Sequence, residues 1–312
     1  MGMWDAKFIL QNGRVMPWAE ARLHPMSMAV TYATCIFEGL RAYHHPQTGN
    51  LAVFRLREHL ARLAQGMRIM RFTDAPGIAE LENDVLRVVQ ANAPDDDAYI
   101  RLQVYIEGPG TMASTGPVGW MAAAIPRERS AKFESGLSVG VSSWTRLSDN
   151  ASPPRVKATA NYHAGRLATL QARADGYDTA LLLTAAGKVS EAPGACLFLR
   201  RDGRLITPSG GSDILESVTR QTVITLAEEA GLGPVEERMV DRTELYCAQE
   251  VFLCGTGQEL VPVVAVDRIA VGDGKPGEAT RQLQARYEAV VRGLTPDHAG
   301  WRTAVPTLMA AA

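Results

Sequence analysis

The sequence predicts an α+β protein of two domains, and three observations carry that prediction. Strand-like runs follow one another without strict alternation with helices. A charged, aperiodic stretch at residues 126–136 interrupts the pattern before the midpoint. The length, 312 residues, is enough for two cores. The expected division is a small N-terminal α/β domain over 1–126, an interdomain loop over 127–136 and a larger C-terminal domain over 137–312.

Each element has a local cause. Phe8, Ile9 and Leu10 on one side and Val15 on the other flank a turn at Asn12-Gly13. Leu51 to Phe54 reads as a short strand entering a helix over 57–70. On that helix Leu60, Leu63, Met67 and Met70 recur at helical spacing and should face the core. Pro76-Gly77 precedes a second helix over 78–91. Residues 99–106 alternate as a strand, end at the Gly108-Pro109-Gly110 loop and pair with 119–124. Beyond the charged stretch come a strand at 137–141, a loop after Pro153-Pro154 and a helix over 161–174. Strands at 179–183, 195–199 and 205–207 precede a helix over 217–230, closed by Gly231. A strand at 250–254, the loop Gly255-Thr256-Gly257, a strand at 261–266 and a helix over 281–293 follow. The chain has no internal repeat and no low-complexity tract.

Composition excludes several function classes. Apolar residues make up 46% and charged residues 21%, the proportions of a soluble globular chain. A net charge of −2 leaves no basic field to attract nucleic acid or an acidic membrane. The six histidines are scattered and none stands at metal-ligand spacing, so no metal is expected. Cys35, Cys196, Cys247 and Cys254 form no CxxC and read as buried free thiols rather than bridges or ligands. Residues 1–7 lack a cleavable signal pattern, and no apolar stretch approaches the ~20 residues of a membrane span. A cytoplasmic protein with reduced thiols is expected.

Lys157 is the most informative residue. Only five lysines occur beside 27 arginines, so each lysine carries more weight. A lysine in a partly apolar pocket loses its proton and becomes a nucleophilic amine able to form a Schiff base, which arginine cannot do. Lys157 has Val156, Ala158 and Ala160 around it and a helix directly after it. Tyr162 follows, and Glu191 stands in a glycine-ended turn. A lysine, a tyrosine and a distant acid are the groups that a pyridoxal phosphate ring needs. Ser217 heads a helix whose first N–H groups suit a phosphate, and Gly255-Thr256-Gly257 offers a hydroxyl and amides at a strand end. Singly, each has an ordinary reading: a loop lysine, a core-edge tyrosine, a turn acid, a helix cap, a hairpin turn. Arg62, beside the apolar stripe of its helix, has an ordinary reading as a solvated side chain.

In order and spacing together, these residues resemble the class IV (fold type IV) pyridoxal-phosphate aminotransferases from about residue 8 to 292. The likeness is greatest to the branched-chain amino acid aminotransferases. Tyr-Gly-x-x-x-Phe-Glu-Gly-x-Arg-x-Tyr is matched by the run from Tyr32 through Phe37, Glu38, Gly39 and Arg41 to Tyr43. Phe-Arg-x-x-Glu-His-x-x-Arg-Leu is matched by Phe54, Arg55, Glu58, His59, Arg62 and Leu63. Tyr-Ile-Arg is Tyr99-Ile100-Arg101, and the Gly-Thr-Ala segment is Gly255-Thr256-Gly257.

The resemblance implies a barrel-like C-terminal α/β domain and a homodimer or larger homo-oligomer. It implies that Lys157 is the Schiff-base lysine and proton carrier, that Tyr162 bonds the cofactor's O3′ and that Glu191 bonds its pyridinium nitrogen. Arg62, Val218, Thr219 and Thr256 would hold the phosphate, and Leu215 would pack on the ring. Tyr32, Phe37, Tyr99 and Arg101 would line the substrate pocket, with amides at Thr256 and Gly257 for the α-carboxylate. The implied reaction is ping-pong transamination of leucine, isoleucine or valine with 2-oxoglutarate, Arg101 meeting the second carboxylate.

The chain departs from the family at named places. Ala192-Pro193-Gly194-Ala195-Cys196 replaces Gly-x-Gly-Glu-Asn, Ala33 replaces a glycine, and residues 127–130 lack the Gly-Ala-Tyr of bacterial branched-chain enzymes. The loop at 108–111 also differs. These departures bring in an (R)-amine or D-amino acid transaminase as the alternative. An aminodeoxychorismate lyase is disfavoured by Tyr32, the Phe37-to-Arg41 motif and Tyr99-Ile100-Arg101. A non-catalytic relative is disfavoured by Lys157, Tyr162 and Glu191.

Overall fold

The computed structural model describes residues 6–298 and 300–306. Residues 1–5, part of the segment read above for a leader, lie outside the described residues. The chain divides into two compact units, one of residues 1–128, 156–160 and 289–312, the other of 129–155 and 161–288. In chain order the strands are β1 (Phe8–Gln11), β2 (Arg14–Pro17), β3 (Cys35–His44), β4 (Leu51–Phe54), β5 (Ala98–Ile106), β6 (Val118–Pro126), β7 (Leu137–Thr145) and β8 (Thr179–Leu183). They continue as β9 (Cys196–Arg201), β10 (Arg204–Pro208), β11 (Glu236–Arg238), β12 (Glu250–Gly255), β13 (Glu259–Val266), β14 (Ile269–Ala270) and β15 (Arg302–Ala304). The helices are α1 (Met28–Thr31), α2 (Leu56–Ile69), α3 (Ile78–Asn92), α4 (Tyr162–Ala174), α5 (Val218–Glu229) and α6 (Glu278–Val291).

The first unit is a seven-stranded antiparallel sheet in the order β15-β4-β3-β5-β6-β1-β2. Leu60, Leu63 and Met67 of α2 join Leu81, Val85 and Val88 of α3 in one core with Ile36, Leu40, Ile100 and Leu102 of the sheet. Each such side chain contributes roughly 1.5–3 kcal/mol by leaving water. Met70, expected in that stripe, is only partly buried. The inner strand β3 is buried at nine of its ten positions. Its alternating directions still matter. Ile36, Glu38, Leu40 and Ala42 share one side, whereas Phe37, Gly39 and Arg41 share the other.

The second unit holds a sheet in the order β11-β10-β9-β12-β13-β7-β8, with β14 on β13. The pairs β10–β11, β13–β7 and β7–β8 are parallel. Residues 188–191 run between the two ends of this sheet. On one side Val189 bridges to Leu183 of β8, and Ser190 N–H donates to Leu182 O at 3.0 Å. On the other Val189 N–H donates to Val240 O at 2.9 Å, just past β11. The sheet therefore closes on itself as a barrel-like layer, and Glu191 sits on the closing segment. Leu197, Leu199, Val251, Leu253, Val261 and Val263 fill its core.

The charges of residues 129–136 have partners in this unit. Arg129 Nε pairs with Glu259 at 3.0 Å, Lys132 with Asp178 at 3.0 Å and Arg281 with Glu134 at 2.5 Å. Helix α6 begins three residues before its expected start. The Glu250 carboxylate, from β12, accepts from Ala279 N–H at 3.1 Å and Thr280 N–H at 2.9 Å, a cap supplied from a distant strand. Cys35, Cys196 and Cys254 are buried free thiols. Cys247 is exposed instead, because it ends the 3-10 turn over 242–246 at the surface. Among the described residues no cluster of His, Cys, Asp or Glu could hold a metal ion, and no helix is long and apolar enough to cross a membrane.

Candidate active site

Lys157 is held by the first unit's sheet. Strand β4 covers β3 only at Ala42, Tyr43 and His44, leaving the edge further back open. Residues 156–160 occupy that edge: Phe37 N–H donates to Lys157 O at 2.9 Å, Ile36 bridges to Ala158, and Thr159 Oγ1 donates to Cys35 O at 3.2 Å. The half-buried Lys157 extends its ammonium over the Phe37 ring, 4.8 Å from the centroid. Arg101, on β5, stacks on the same ring at 3.4 Å, so an apolar surface and two cations share one side of the sheet. Tyr99 lies across Gly39, where an added Cβ would collide with Tyr99 Oη. Glycine is required there by close approach. Tyr32 differs from Phe37: it is 50% exposed, at the end of the one-turn helix α1.

Ala33 adopts a φ of 52°, the left-handed region. Glycine holds that conformation at lower cost, which accounts for the residue usual there and for the strain of this substitution.

On the other side of β3 the fully buried Glu38 faces α2. Its Oε1 accepts from Arg62 Nε at 2.8 Å, and its Oε2 from Arg62 Nη2 at 2.7 Å. His59 Nδ1 is 2.7 Å from the same Oε2. Burial opposes ionisation of Glu38, but the Arg62 charge and His59 outweigh it and hold the carboxyl at about 2. Burial pushes His59 down, with Arg62 and Lys157 adding to the effect against the pull of Glu38. Arg62 is thus paired rather than solvated, its side chain 10% exposed.

In the second unit Glu191 is 6% exposed and no mere turn acid. Arg146 Nη2 lies 2.7 Å from its Oε1, the Leu215 N–H donates to its Oε2 at 3.2 Å, and Cys196 Sγ is 3.8 Å from Oε2. Within the segment that departs from Gly-x-Gly-Glu-Asn, it is Cys196 that reaches this carboxylate; the guanidinium and the amide come from Arg146 and Leu215. Arg146 Nη1 also donates to Asn161 O at 3.3 Å, directly before the half-buried Tyr162 that opens α4. Neither Arg146 nor Asn161 stood out in the sequence, since nothing local marks an arginine as the partner of a distant acid.

The Ser217 cap is as expected: its Oγ accepts from Arg220 N–H at 3.2 Å. Arg220 is buried and tied to Thr207 Oγ1, Pro208 O and Glu237, which pins the first turn of α5 against β10. The N–H groups of Val218 and Thr219 head this helix without intrahelical acceptors, and Thr219 Oγ1 lies 3.2 Å from Thr256 Oγ1. Thr256 and Gly257 form the turn between β12 and β13, where Gln258 N–H returns to Gly255 O at 3.1 Å. Two hydroxyls at a helix N-terminus make a donor set suited to a phosphate, and a buried carboxylate beside an arginine suits a protonated ring nitrogen. The residues present fit pyridoxal phosphate.

The sequence matches the family Amino-transferase class IV over residues 35–266. This chain belongs to the class IV aminotransferases. It is 37% identical over 303 residues to the branched-chain-amino-acid aminotransferase of Escherichia coli K12, covering 95% of this chain and 96% of that one. The branched-chain amino acid aminotransferase of Thermobaculum terrenum, solved in its PLP form, superposes with a TM-score of 0.92 at 39% identity, covering 97% of this chain and all of that one. The T.th. branched-chain amino acid aminotransferase, solved in complex with N-(5′-phosphopyridoxyl)-L-glutamate, has a TM-score of 0.90 at 34% identity, covering 96% of this chain and 99% of that one.

Proposed function

We propose that this aminotransferase moves the amino group between leucine, isoleucine or valine and 2-oxoglutarate in a ping-pong cycle. The observation that carries the reading is the ring of Phe37, an apolar surface packed by both Arg101, at 3.4 Å, and Lys157, at 4.8 Å. An aliphatic side chain and a second carboxylate each find a matching surface next to the amine. Relatives named for branched-chain substrates, and one solved with a glutamate adduct, support the pair of substrates.

When bound, pyridoxal phosphate supplies an aldehyde for the amine and a ring that accepts electrons. Lys157 Nζ is the base that takes the proton from the substrate's α-carbon and returns it. Glu191, paired with Arg146, would keep a proton on the ring nitrogen, and Tyr162 would donate to the ring oxygen. Leu215 packs on the ring. Arg62, Val218, Thr219 and Thr256 hold the phosphate. Tyr32, Phe37, Tyr99 and Arg101 shape the substrate's side-chain site, and the amides at Thr256 and Gly257 take its α-carboxylate. The enzyme works in the cytoplasm as a homodimer or larger assembly. Supporting self-association, Met26, Val30, Tyr32 and Met112 expose apolar surface where α1 meets the loop at Gly108, and sedimentation at twice the chain mass checks it.

The test is Lys157→Ala, which should remain folded and lose transamination together with the visible absorbance of the loaded wild type. Normal turnover would sink the reading. Spectral change of the wild type with L-leucine supports the branched-chain assignment. Change only with D-alanine or (R)-1-phenylethylamine would replace it with the other stereochemistry.

A further inference from the structure

We propose that Glu38, seconded by His59, is a positioning residue that presets the guanidinium of Arg62 for the cofactor phosphate. The inference rests on the reading of Arg62 given under the proposed function.

Three elements of geometry carry it. Glu38 is 0% exposed and points from β3 toward α2, on the side occupied by Ile36 and Leu40. It grips one edge of Arg62, through Nε at 2.8 Å and Nη2 at 2.7 Å, so the guanidinium plane and direction are set. His59, one turn before Arg62 on α2, satisfies the remaining acceptor capacity of Oε2 at 2.7 Å.

Stability alone does not account for this arrangement. A buried ion pair costs about as much in lost hydration as it returns, and apolar residues of similar volume would do as well in this core. What the pair does supply is orientation. A long arginine side chain surrenders rotamer freedom when it takes a ligand, and prior pairing with Glu38 has already removed that freedom. The clamp is permanent, because Arg62 and His59 keep Glu38 ionised throughout the working pH range. His59, held toward its neutral form by burial, serves as an N–H donor and adds no charge that would compete with Arg62 for the carboxylate.

The experiment titrates apoenzyme with pyridoxal phosphate and, separately, with pyridoxal, which lacks the phosphate. Binding is followed by quenching of tryptophan fluorescence in the wild type, Glu38→Gln, Arg62→Leu and the double variant. Glu38→Gln should bind pyridoxal phosphate roughly 10- to 30-fold more weakly and pyridoxal as the wild type does. The double variant should be no weaker than Arg62→Leu alone. Equal weakening toward both ligands, or additive losses, would overturn the proposal by making Glu38 merely structural. If Glu38→Gln does not fold, Glu38→Asp and His59→Gln answer the same question through the same ratio of affinities. Should Arg62→Leu keep the full preference for the phosphorylated ligand, the reading of Arg62 itself falls, and the proposal with it. A loss in Arg62→Leu without one in Glu38→Gln refutes the positioning role alone.

Discussion

Replacing Arg146 with methionine keeps most of the side chain's volume and removes its charge. Arg146 donates to Glu191 Oε1 at 2.7 Å, with longer contacts of 3.3 Å to Asp213 O and Asn161 O. Both partners are nearly buried, with side chains 11% and 8% exposed, so little solvent screening discounts the pair. Removing one member of a buried pair costs about 3–5 kcal/mol, because the other charge is left uncompensated. The Leu215 N–H remains on Glu191, which places the expected loss near the lower end, about 3 kcal/mol. For a unit of this size that corresponds to a melting temperature lower by roughly 6–12 °C. The assay is thermal and urea unfolding of the apoenzyme, repeated in a Glu191→Gln background. There the arginine has no carboxylate to pair with, and its removal should cost less than about 1 kcal/mol. Equal costs in the two backgrounds, or a loss within about 0.5 kcal/mol of zero, would refute the reasoning.

Arg101→Leu should slow the half-reaction with glutamate or 2-oxoglutarate by roughly 10- to 100-fold and the leucine half-reaction far less. Single-turnover measurements from each cofactor form decide it, and equal losses would make Arg101 a support for Phe37 instead. Glu38 predicts part of the acid limb of stability. Its carboxyl lies at about 2 in the fold against an ordinary 4.5, so its contribution is complete above 4.5 and is lost as pH falls toward 2. That contribution is on the order of 3 kcal/mol. Acid unfolding of Glu38→Gln should lack this segment, and an acid limb as steep as that of the wild type would count against it.

Much of the secondary structure was legible because its causes are local. The stripe of Leu60, Leu63 and Met67 announces α2, Asn12-Gly13 announces the first hairpin, and Ser217 announces α5 through a cap spanning three residues. The identity of the chemistry was legible too. Lys157, Tyr162 and Glu191 come with motifs whose order along the chain is itself the signal, and the class IV match over residues 35–266 agrees with it.

What the sequence by itself determined was therefore residue type, period and order. Only the tertiary structure decided who meets whom. Strand β3 has no alternation to read, because both of its sides are covered and one carries Glu38 in an apolar setting. The early start of α6 depends on Glu250, 30 residues before the Thr280 amide it caps. The clamp on Arg62 comes from a carboxylate 24 residues away, and Glu191 has its guanidinium from the residue that follows β7. Periodicity and capping act over a few residues, where the chain itself holds the partners close. Ion pairs, edge docking of residues 156–160 and closure of the second sheet by residues 188–191 join segments far apart in sequence, and become visible only when the fold has brought them within hydrogen-bond distance.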